Sequence, residues 1–184
     1  MIENGTKTVH RDEGRFSPFT NTWHKTEQCV LSEVSGVFLP RDRAVKSEWS
    51  SRTGDISESR KCHVTMKRLL VDEVGKSDVT DHTVRKDLLR TCVESGIMAI
   101  ESELVRCALT KELALPSETA TCSLTNKRVR RSLLSRSDGN GALVRTDLLV
   151  KCQATGKRLS RNETGVCQAS GKSVDRRLLK ECSE

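Results

Sequence analysis

The chain has 184 residues, of which 35% are hydrophobic and 31% are charged, and its formal net charge is +7. Its only aromatic residues are three Phe and two Trp, which argues against the large globular core of a compact enzyme. The first 27 residues contain no apolar signal segment, and no stretch approaches the roughly 20 apolar residues that span a bilayer. The composition therefore predicts a cytoplasmic protein without membrane insertion.

A period of fifteen residues organises the chain. Cys or Ser recurs at this interval, and we number each repeat from that residue as position 1: Ser17, Ser32, Ser47, Cys62, Ser77, Cys92, Cys107, Cys122, Ser137, Cys152, Cys167 and Cys182. Position 4 is Ser, Thr or Asn in the first eleven repeats, and position 5 is often Gly, Asn or Asp, which tolerate a positive φ. The pattern predicts a tight turn at positions 4 and 5 of each repeat.

The N-terminal third departs most from this pattern. Residues 1–16 lie outside the register and are predicted to form a flexible or docking tail. Residues 17–61 keep a degraded register and hold four aromatic residues, namely Phe19, Trp23, Phe38 and Trp49. This segment is predicted to cap the array or to contact a partner, and Cys29, which is off register, belongs to it.

Residues 62–184 form the regular part, in which two kinds of repeat alternate. In one kind, Leu or Ile follows the turn and a Glu comes soon after, as in "KRLLVDEVGK", which predicts strand, turn and strand. In the other, Val precedes a Leu pair, as in "TVRKDLLRTC". There Val84, Leu88 and Cys92 lie at i, i+4 and i+8, which predicts a short helix. Ser173 is a candidate N-cap for the last such helix.

The sequence therefore predicts a small, β-rich α+β fold. Its repeats would pair into units of about 30 residues with short helices, and they would stack into an elongated tandem array in which each unit contacts mainly its neighbours. A uniform β-solenoid with fifteen-residue rungs is the alternative. The two kinds of repeat favour the first architecture, because uniform rungs would not need them.

The turn "CQATGK" at Cys152 and its copy "CQASGK" at Cys167 resemble the zinc knuckle C-x-x-C-G-[KR] of zinc-ribbon and treble-clef fingers. The resemblance covers six residues at a time and implies a zinc site. A structural zinc site needs four Cys or His ligands, whereas each turn here offers one thiol and no His recurs in register. The sequence predicts no metal ligand and no cofactor, with zinc as the alternative, and it predicts free structural thiols in a reducing compartment.

No catalytic residue is predicted. Cys62 and His63 are adjacent in sequence, which directs their side chains apart in most backbones, and no third group is available to orient them. The recurrent acids Glu73, Glu103, Glu118 and Glu163 are explained by a hairpin turn or by ion pairs with neighbouring Lys and Arg. We therefore expect a protein that is not an enzyme.

Charge is distributed unevenly along the chain. Residues 122–184 hold 14 Lys and Arg against 6 Asp and Glu, whereas residues 1–121 hold 18 against 19. The basic residues occupy recurring repeat positions, so stacking would align them into a basic stripe, the predicted partner-binding surface. Its members are Lys127, Arg128, Arg130, Arg131, Arg145, Lys157, Arg158, Arg161, Lys172, Arg176 and Arg177.

These features predict a scaffold or adaptor subunit that binds along a larger protein or protein complex through the basic stripe. The alternative is a nucleic-acid-binding protein that contacts the phosphate backbone. Residues 50–184 contain no aromatic residue on which bases could stack, so such binding would carry little sequence specificity. A solvated surface that only maintains solubility is the third interpretation of the stripe.

Overall fold

The computed structural model describes residues 12–180 as a series of short antiparallel hairpins. Within this range 22 strands pair into eleven two-stranded sheets. The hairpins are β1 (Gly14–Ser17) with β2 (Thr22–Lys25), β3 (Cys29–Leu31) with β4 (Phe38–Pro40), β5 (Ala44–Lys46) with β6 (Thr53–Asp55), β7 (Ser59–Lys61) with β8 (Arg68–Leu70), β9 (Val74–Lys76) with β10 (Thr83–Arg85), β11 (Leu89–Thr91) with β12 (Met98–Ile100), β13 (Val105–Arg106) with β14 (Leu113–Ala114), β15 (Thr119–Thr121) with β16 (Arg128–Arg130), β17 (Leu134–Arg136) with β18 (Leu143–Arg145), β19 (Leu149–Lys151) with β20 (Arg158–Ser160), and β21 (Thr164–Val166) with β22 (Ser173–Asp175).

Single turns connect one hairpin to the next. Most are three-residue 3-10 helices: Thr26–Gln28, Ile56–Glu58, Lys86–Leu88, Glu101–Glu103, Pro116–Glu118, Arg131–Leu133, Thr146–Leu148 and Arg161–Glu163. A further 3-10 helix, Arg176–Leu178, follows the last described hairpin. Residues 41–43 and 71–73 form ordinary turns at the equivalent positions. No helix between residues 12 and 180 is long and apolar enough to cross a membrane.

The hairpin turns occupy repeat positions 1 to 6. The N–H of position 5 donates to the carbonyl of position 1, as from Gly36 to Ser32 at 2.9 Å and from Met66 to Cys62 at 2.9 Å. Position 5 has a positive φ in each of the eleven turns. Gly, Asn and Asp were expected there, and Ser51, Met66 and Lys111 adopt the same left-handed conformation despite its steric cost for residues with a Cβ.

The predicted short helices are wrong. The segment that holds Val84 and Leu88 is strand β10, the 3-10 turn Lys86–Leu88 and strand β11, and Ser173 begins strand β22 instead of capping a helix. Both kinds of repeat therefore form a strand, a single turn and a strand, and the turn is a 3-10 helix except at residues 41–43 and 71–73. The i, i+4 spacing of apolar residues arises because Val84 and Leu88 pack against the same apolar cluster from different elements.

Successive hairpins are joined by a recurring backbone hydrogen bond. The N–H of position 2 donates to the carbonyl of position 7 in the next repeat, as from Glu48 to Arg68 at 2.9 Å and from Ala108 to Arg128 at 3.0 Å. An acidic side chain at position 2 also accepts from the N–H of that residue, as Asp138 Oδ2 does from Arg158 at 2.7 Å. Each turn is thereby fixed to the start of the second strand of the following hairpin.

Side chains at positions 1 and 8 form the core. Position 8 is fully or almost fully buried in most hairpins, as at Leu39, Leu69, Val84, Val129, Val144 and Leu159. Position 1 is buried in every described repeat except the last, where Cys167 is half-buried. Cys29 is also buried, in strand β3 at position 13, so its thiol lies at an ordinary core position of the hairpin fold.

A second joint links position 1 to position 12 of the next repeat, 26 residues later. Where position 1 is Ser, position 12 is Glu except in the pair of Ser17 and Arg43. The serine hydroxyl donates to the carboxylate, as Ser32 does to Glu58 at 2.6 Å and Ser47 to Glu73 at 2.6 Å. Where position 1 is Cys, position 12 is usually Leu, and both residues belong to an apolar cluster. Cys62 and Leu88 lie in one such cluster, and Cys107 and Leu133 lie in another.

The chain divides into two compact units. Within the described residues the first unit runs to Arg90 and includes Met98–Ile100, and the second comprises Thr91–Ile97 and the residues from Glu101 onward. Strand β1 begins at Gly14, inside the segment predicted as a tail, and residues 17–61 form hairpins like those that follow. Residues 1–11, the rest of the predicted tail, lie outside the described residues, as does Cys182.

Candidate basic binding surface

The basic residues predicted from the sequence all lie on hairpins of the second unit. Nine of the eleven are exposed, and Arg130 and Arg145 are half-buried. Their hydrogen-bond partners divide them into three groups. One group pairs with carboxylates, one is bound to backbone carbonyls, and one has neither kind of partner.

Three of the arginines face carboxylates. Arg130 lies 3.3 Å from Glu94 Oε1 through Nε and 3.4 Å from Glu112 Oε2 through Nη1. Arg145 Nε donates to Asp147 Oδ1 at 3.0 Å, and this hydrogen bond is the main cause of the lowered pKa of Asp147. Arg177 Nε lies 3.5 Å from Asp175 Oδ1. The positive charge of these three side chains is largely neutralised within the hairpins.

Arg128 and Arg131 are brought together by one connecting turn. Arg128 donates from Nε to Thr119 Oγ1 at 2.7 Å and from Nη2 to the carbonyl of Pro116 at 2.9 Å. Arg131 donates from Nε to the carbonyl of Ser117 at 2.9 Å. Both guanidinium groups therefore stabilise the 3-10 turn Pro116–Glu118, while their outer nitrogens stay exposed.

The remaining six side chains are exposed and form no hydrogen bond or ion pair with any residue between 12 and 180. They are Lys127, Lys157, Arg158, Arg161, Lys172 and Arg176. Their backbones are nevertheless fixed. The carbonyl of Lys157 accepts from Cys152 at 2.7 Å, that of Arg158 from Asp138 at 2.9 Å, and that of Lys172 from Cys167 at 2.9 Å. These cations are thus presented to solvent from ordered turns.

The thiols at position 1 are enclosed by hydrogen-bond donors. The backbone N–H of Thr65 lies 3.5 Å from Cys62 Sγ, and that of Asp175 lies 3.3 Å from Cys152 Sγ. At Cys107 burial raises the thiol pKa, but hydrogen bonds from Thr110 and from the N–H of Arg130 outweigh it and bring the pKa to about 7. Because Cys107 is fully buried, this thiol has no access to solvent or substrate.

The resemblance to a zinc knuckle does not extend to a ligand set. Each turn supplies at most one thiol, and the part of the chain that the structure describes contains no group of three or more His, Cys, Asp or Glu side chains able to hold a metal ion. The turn geometry is therefore formed by the backbone hydrogen bonds already described.

The recurrent glutamates have a role that differs from the predicted ones. Glu73 is buried and accepts from Ser47 Oγ, from Ser50 Oγ and from the N–H of Leu70. Burial raises its pKa, but these hydrogen bonds outweigh burial and lower it. Glu163 accepts in the same way from Ser137 and from the N–H of Ser160. These carboxylates join hairpins, and Glu73 Oε1 also lies 3.9 Å from Arg52 Nη1, as the predicted ion pairs require.

Two contacts of the first unit were missed by the sequence analysis. The Arg85 guanidinium lies 4.9 Å above the Trp49 ring, and the rings of His63 and His82 stack at 3.6 Å. Trp49 and Arg85 are 36 residues apart, as are Glu94 and Arg130. The residue at position 3 of one repeat therefore contacts the residue at position 9 two repeats later. The fifteen-residue spacing alone does not reveal this contact.

Comparison with known proteins adds no relative. No protein-family model matches the chain, and neither curated proteins nor solved structures give a significant match.

Proposed function

We propose that this chain is a non-enzymatic scaffold subunit, a tandem array of joined hairpins that binds along an acidic protein partner through the cations of its C-terminal hairpins. The repeated hydrogen bonds from position 2 to position 7 support the tandem arrangement, because each hairpin uses the same groups to contact the next. Elongation of the array stays a prediction, which small-angle X-ray scattering can test.

The observation that carries the proposal is the group of six exposed cations whose side chains form no hydrogen bond or ion pair within residues 12–180. Some arginines of the first unit are paired instead, as Arg43 is with Asp55 and Arg52 is with Asp72, at 2.8 and 2.7 Å. Cations that face solvent from ordered turns lose little conformational freedom of the backbone on binding, which favours their use in recognition. An acidic surface of similar length is the complementary partner.

The groups that could perform covalent chemistry are used for structure, which supports a role in binding. The position 1 thiols from Cys62 to Cys152 are buried, whereas Cys167, in the last described repeat, is half-buried. The recurrent glutamates accept hydrogen bonds from serines and from backbone N–H groups, so they and the buried thiols present neither a nucleophile nor a general base to a cleft.

The test compares two variants that remove the same charge. One replaces Lys157, Arg158, Lys172 and Arg176 by Gln, and the control replaces Lys25, Arg41, Lys67 and Lys86, which are also exposed and make no side-chain hydrogen bond or ion pair within residues 12–180. Folding of both should be preserved, because exposed substitutions cost at most about 0.5 kcal/mol each. Binding to poly-L-glutamate should weaken by about tenfold or more in the first variant alone.

Equal losses in the two variants, or no loss in either, would contradict the proposal. The same titration with generic duplex DNA tests the nucleic-acid alternative. Tighter binding to DNA than to polyglutamate, with a logarithmic salt slope that falls by about 0.9 for each phosphate contact removed, would replace the scaffold function by backbone-directed nucleic-acid binding.

A further inference from the structure

A basic groove lies in the first unit, far in sequence from the C-terminal cations. Its volume is about 450 Å³. It is formed by the ends of strands β5, β7 and β8 and by the turns that follow β5 and β7. The residues that line it are Val45, Lys46, Glu48, Lys61, Met66 and Arg68.

Three cations face this groove against one carboxylate. Lys46, Lys61 and Arg68 are exposed, and their side chains form no ion pair or hydrogen bond with the residues that the structure describes. The carboxylate is that of Glu48, whose Oε1 accepts from the backbone N–H of Arg68 at 3.2 Å. The groove therefore carries excess positive charge in a part of the chain whose overall charge is nearly balanced.

The strand pairing shows that hairpin stability does not account for these cations. Lys61 and Arg68 are directly opposite each other in the hairpin β7–β8, and like charges in directly opposed cross-strand positions are destabilising. Lys76, the equivalent of Lys61 one repeat later, instead lies 2.9 Å from Asp81. Lys76 is thus neutralised by a carboxylate, whereas the electrostatic repulsion between Lys61 and Arg68 remains uncompensated.

The same arrangement recurs 90 residues later in the second unit. Lys151 lies opposite Arg158 in the hairpin β19–β20. Arg136 occupies the position that corresponds to Lys46, although its Nη1 donates to the carbonyl of Gly141 at 3.0 Å. Asp138 corresponds to Glu48, and it too accepts from the N–H of the opposed arginine, at 2.7 Å. An opposed Lys and Arg therefore occur in both units, in the hairpins β7–β8 and β19–β20.

We propose that the groove binds a phosphate monoester carried on a peptide, that is, a phosphorylated serine or threonine of a partner protein. A phosphate monoester bears nearly two negative charges and three acceptor oxygens. The Arg68 guanidinium can engage two of those oxygens, while Lys46 and Lys61 act as point charges. Val45 and the exposed side chain of Met66 provide an apolar wall for a neighbouring residue of the peptide.

The test is a titration of the full-length, ¹⁵N-labelled chain with the peptide acetyl-Gly-Leu-phosphoserine-Leu-Gly-amide, monitored by NMR. Saturable shifts are expected at the amides of Lys46, Lys61 and Arg68, and the peptide without phosphate should cause none. The variant Lys61→Gln/Arg68→Gln should weaken binding by about tenfold or more, because two charge-assisted contacts are lost. Its melting temperature should not fall, since the like-charge pair is removed.

Lys76→Gln is the matched control, because Lys76 occupies the equivalent position but is paired with Asp81. Its affinity should stay within about twofold of the wild type. If Lys61→Gln/Arg68→Gln and Lys76→Gln weaken peptide binding equally, the peptide is held only by non-specific charge attraction, and the proposal is overturned. Stronger shifts with a single-stranded oligonucleotide than with the phosphopeptide would also overturn it, because the ligand would then be a phosphodiester backbone. The outcome is independent of the polyglutamate experiment, which removes different residues.

Discussion

The polar joint at Ser47 in the first unit and the apolar joint at Cys107 in the second build the same backbone geometry from different side chains. At Ser47 the hydroxyl donates to Glu73, and the N–H of Leu70, at position 9, donates to the same carboxylate. At Cys107 the thiol packs in the cluster that Leu133 borders, and the N–H of Arg130, again at position 9, is a donor to the thiol itself. The same backbone donor is satisfied in both cases, so Ser with Glu and Cys with Leu should exchange as pairs, and Cys92 with Glu118 is the mixed pair among the described joints.

The largest effect is expected when the two side chains of one polar joint are replaced, first one alone and then both. Glu73→Leu alone should lower the free energy of unfolding by about 3 kcal/mol, because Ser47, Ser50 and the N–H of Leu70 lose their buried acceptor. In the double variant Ser47→Cys/Glu73→Leu the new thiol can accept from that N–H. A double-mutant cycle in urea should therefore give a favourable coupling of about 1–2 kcal/mol. Strict additivity of the two substitutions would contradict pairwise exchange.

Acid should act on the buried carboxylate of Asp55, which pairs with Arg43. Asp55 is fully buried, and the hydrogen bond from Arg43 is the main cause that lowers its pKa from 3.8 to about 2. Because the folded pKa lies below the unfolded value, the stabilisation is present above about pH 4 and is lost as the pH falls toward 2. It amounts to about 2 kcal/mol.

Asp55→Asn should remove that pH dependence together with the stability. The measurement is the free energy of unfolding of the wild type and of the variant at pH 6, 4, 3 and 2. The difference between them should be largest at pH 6 and should shrink as the pH falls. A difference that stays constant down to pH 2 would mean that Asp55 contributes through its shape and not through its charge.

The sequence predicts the turns well because they depend on nearby residues. Gly36, Asn126 and Gly156 mark position 5 by their tolerance of positive φ, and the Cys or Ser at position 1 marks the register. The helix prediction failed at Val84 and Leu88, because a three-residue strand is too short to show alternation and the 3-10 turn that follows restores an i, i+4 spacing. Two strands joined by a 3-10 turn and a short α-helix therefore produce the same local spacing of apolar residues.

The joints and the basic groove could not be predicted from neighbouring residues. Ser32 and Glu58 are 26 residues apart, and only the stacking of successive hairpins shows that this separation corresponds to contact. The same holds for Glu94, which neutralises Arg130 from 36 residues away and so removes one cation from the predicted stripe. Lys61 and Arg68 are not distinctive in the sequence, and their like-charge pairing becomes visible only in the strand register.

The turns allow a smaller test within one unit. Gly36 has φ +72°, and no atom lies within 4 Å of the position that a Cβ would occupy, so Gly36→Ala should cost about 1 kcal/mol through backbone strain alone. Ser51 holds the equivalent position at φ 62°, and Ser51→Gly should stabilise by about 0.5 kcal/mol. Thermal unfolding of both variants provides the check. If both substitutions change the melting temperature in the same direction, the left-handed conformation at position 5 does not determine their effects on stability.

One substitution made at two sites tests the joint chemistry most directly. Cys92 is the exception among the described joints, because its thiol donates to Glu118 Oε2 at 2.7 Å, whereas Cys107 belongs to an apolar cluster. Cys92→Ser supplies a better donor to the carboxylate and should leave the free energy of unfolding unchanged or raise it by about 0.5 kcal/mol. Cys107→Ser buries a hydroxyl without an acceptor and should lower it by about 1–2 kcal/mol. Urea unfolding of the two variants measures both values. Opposite signs, or no loss at Cys92 beside a clear loss at Cys107, are the predicted result, and equal losses at the two sites would contradict the account.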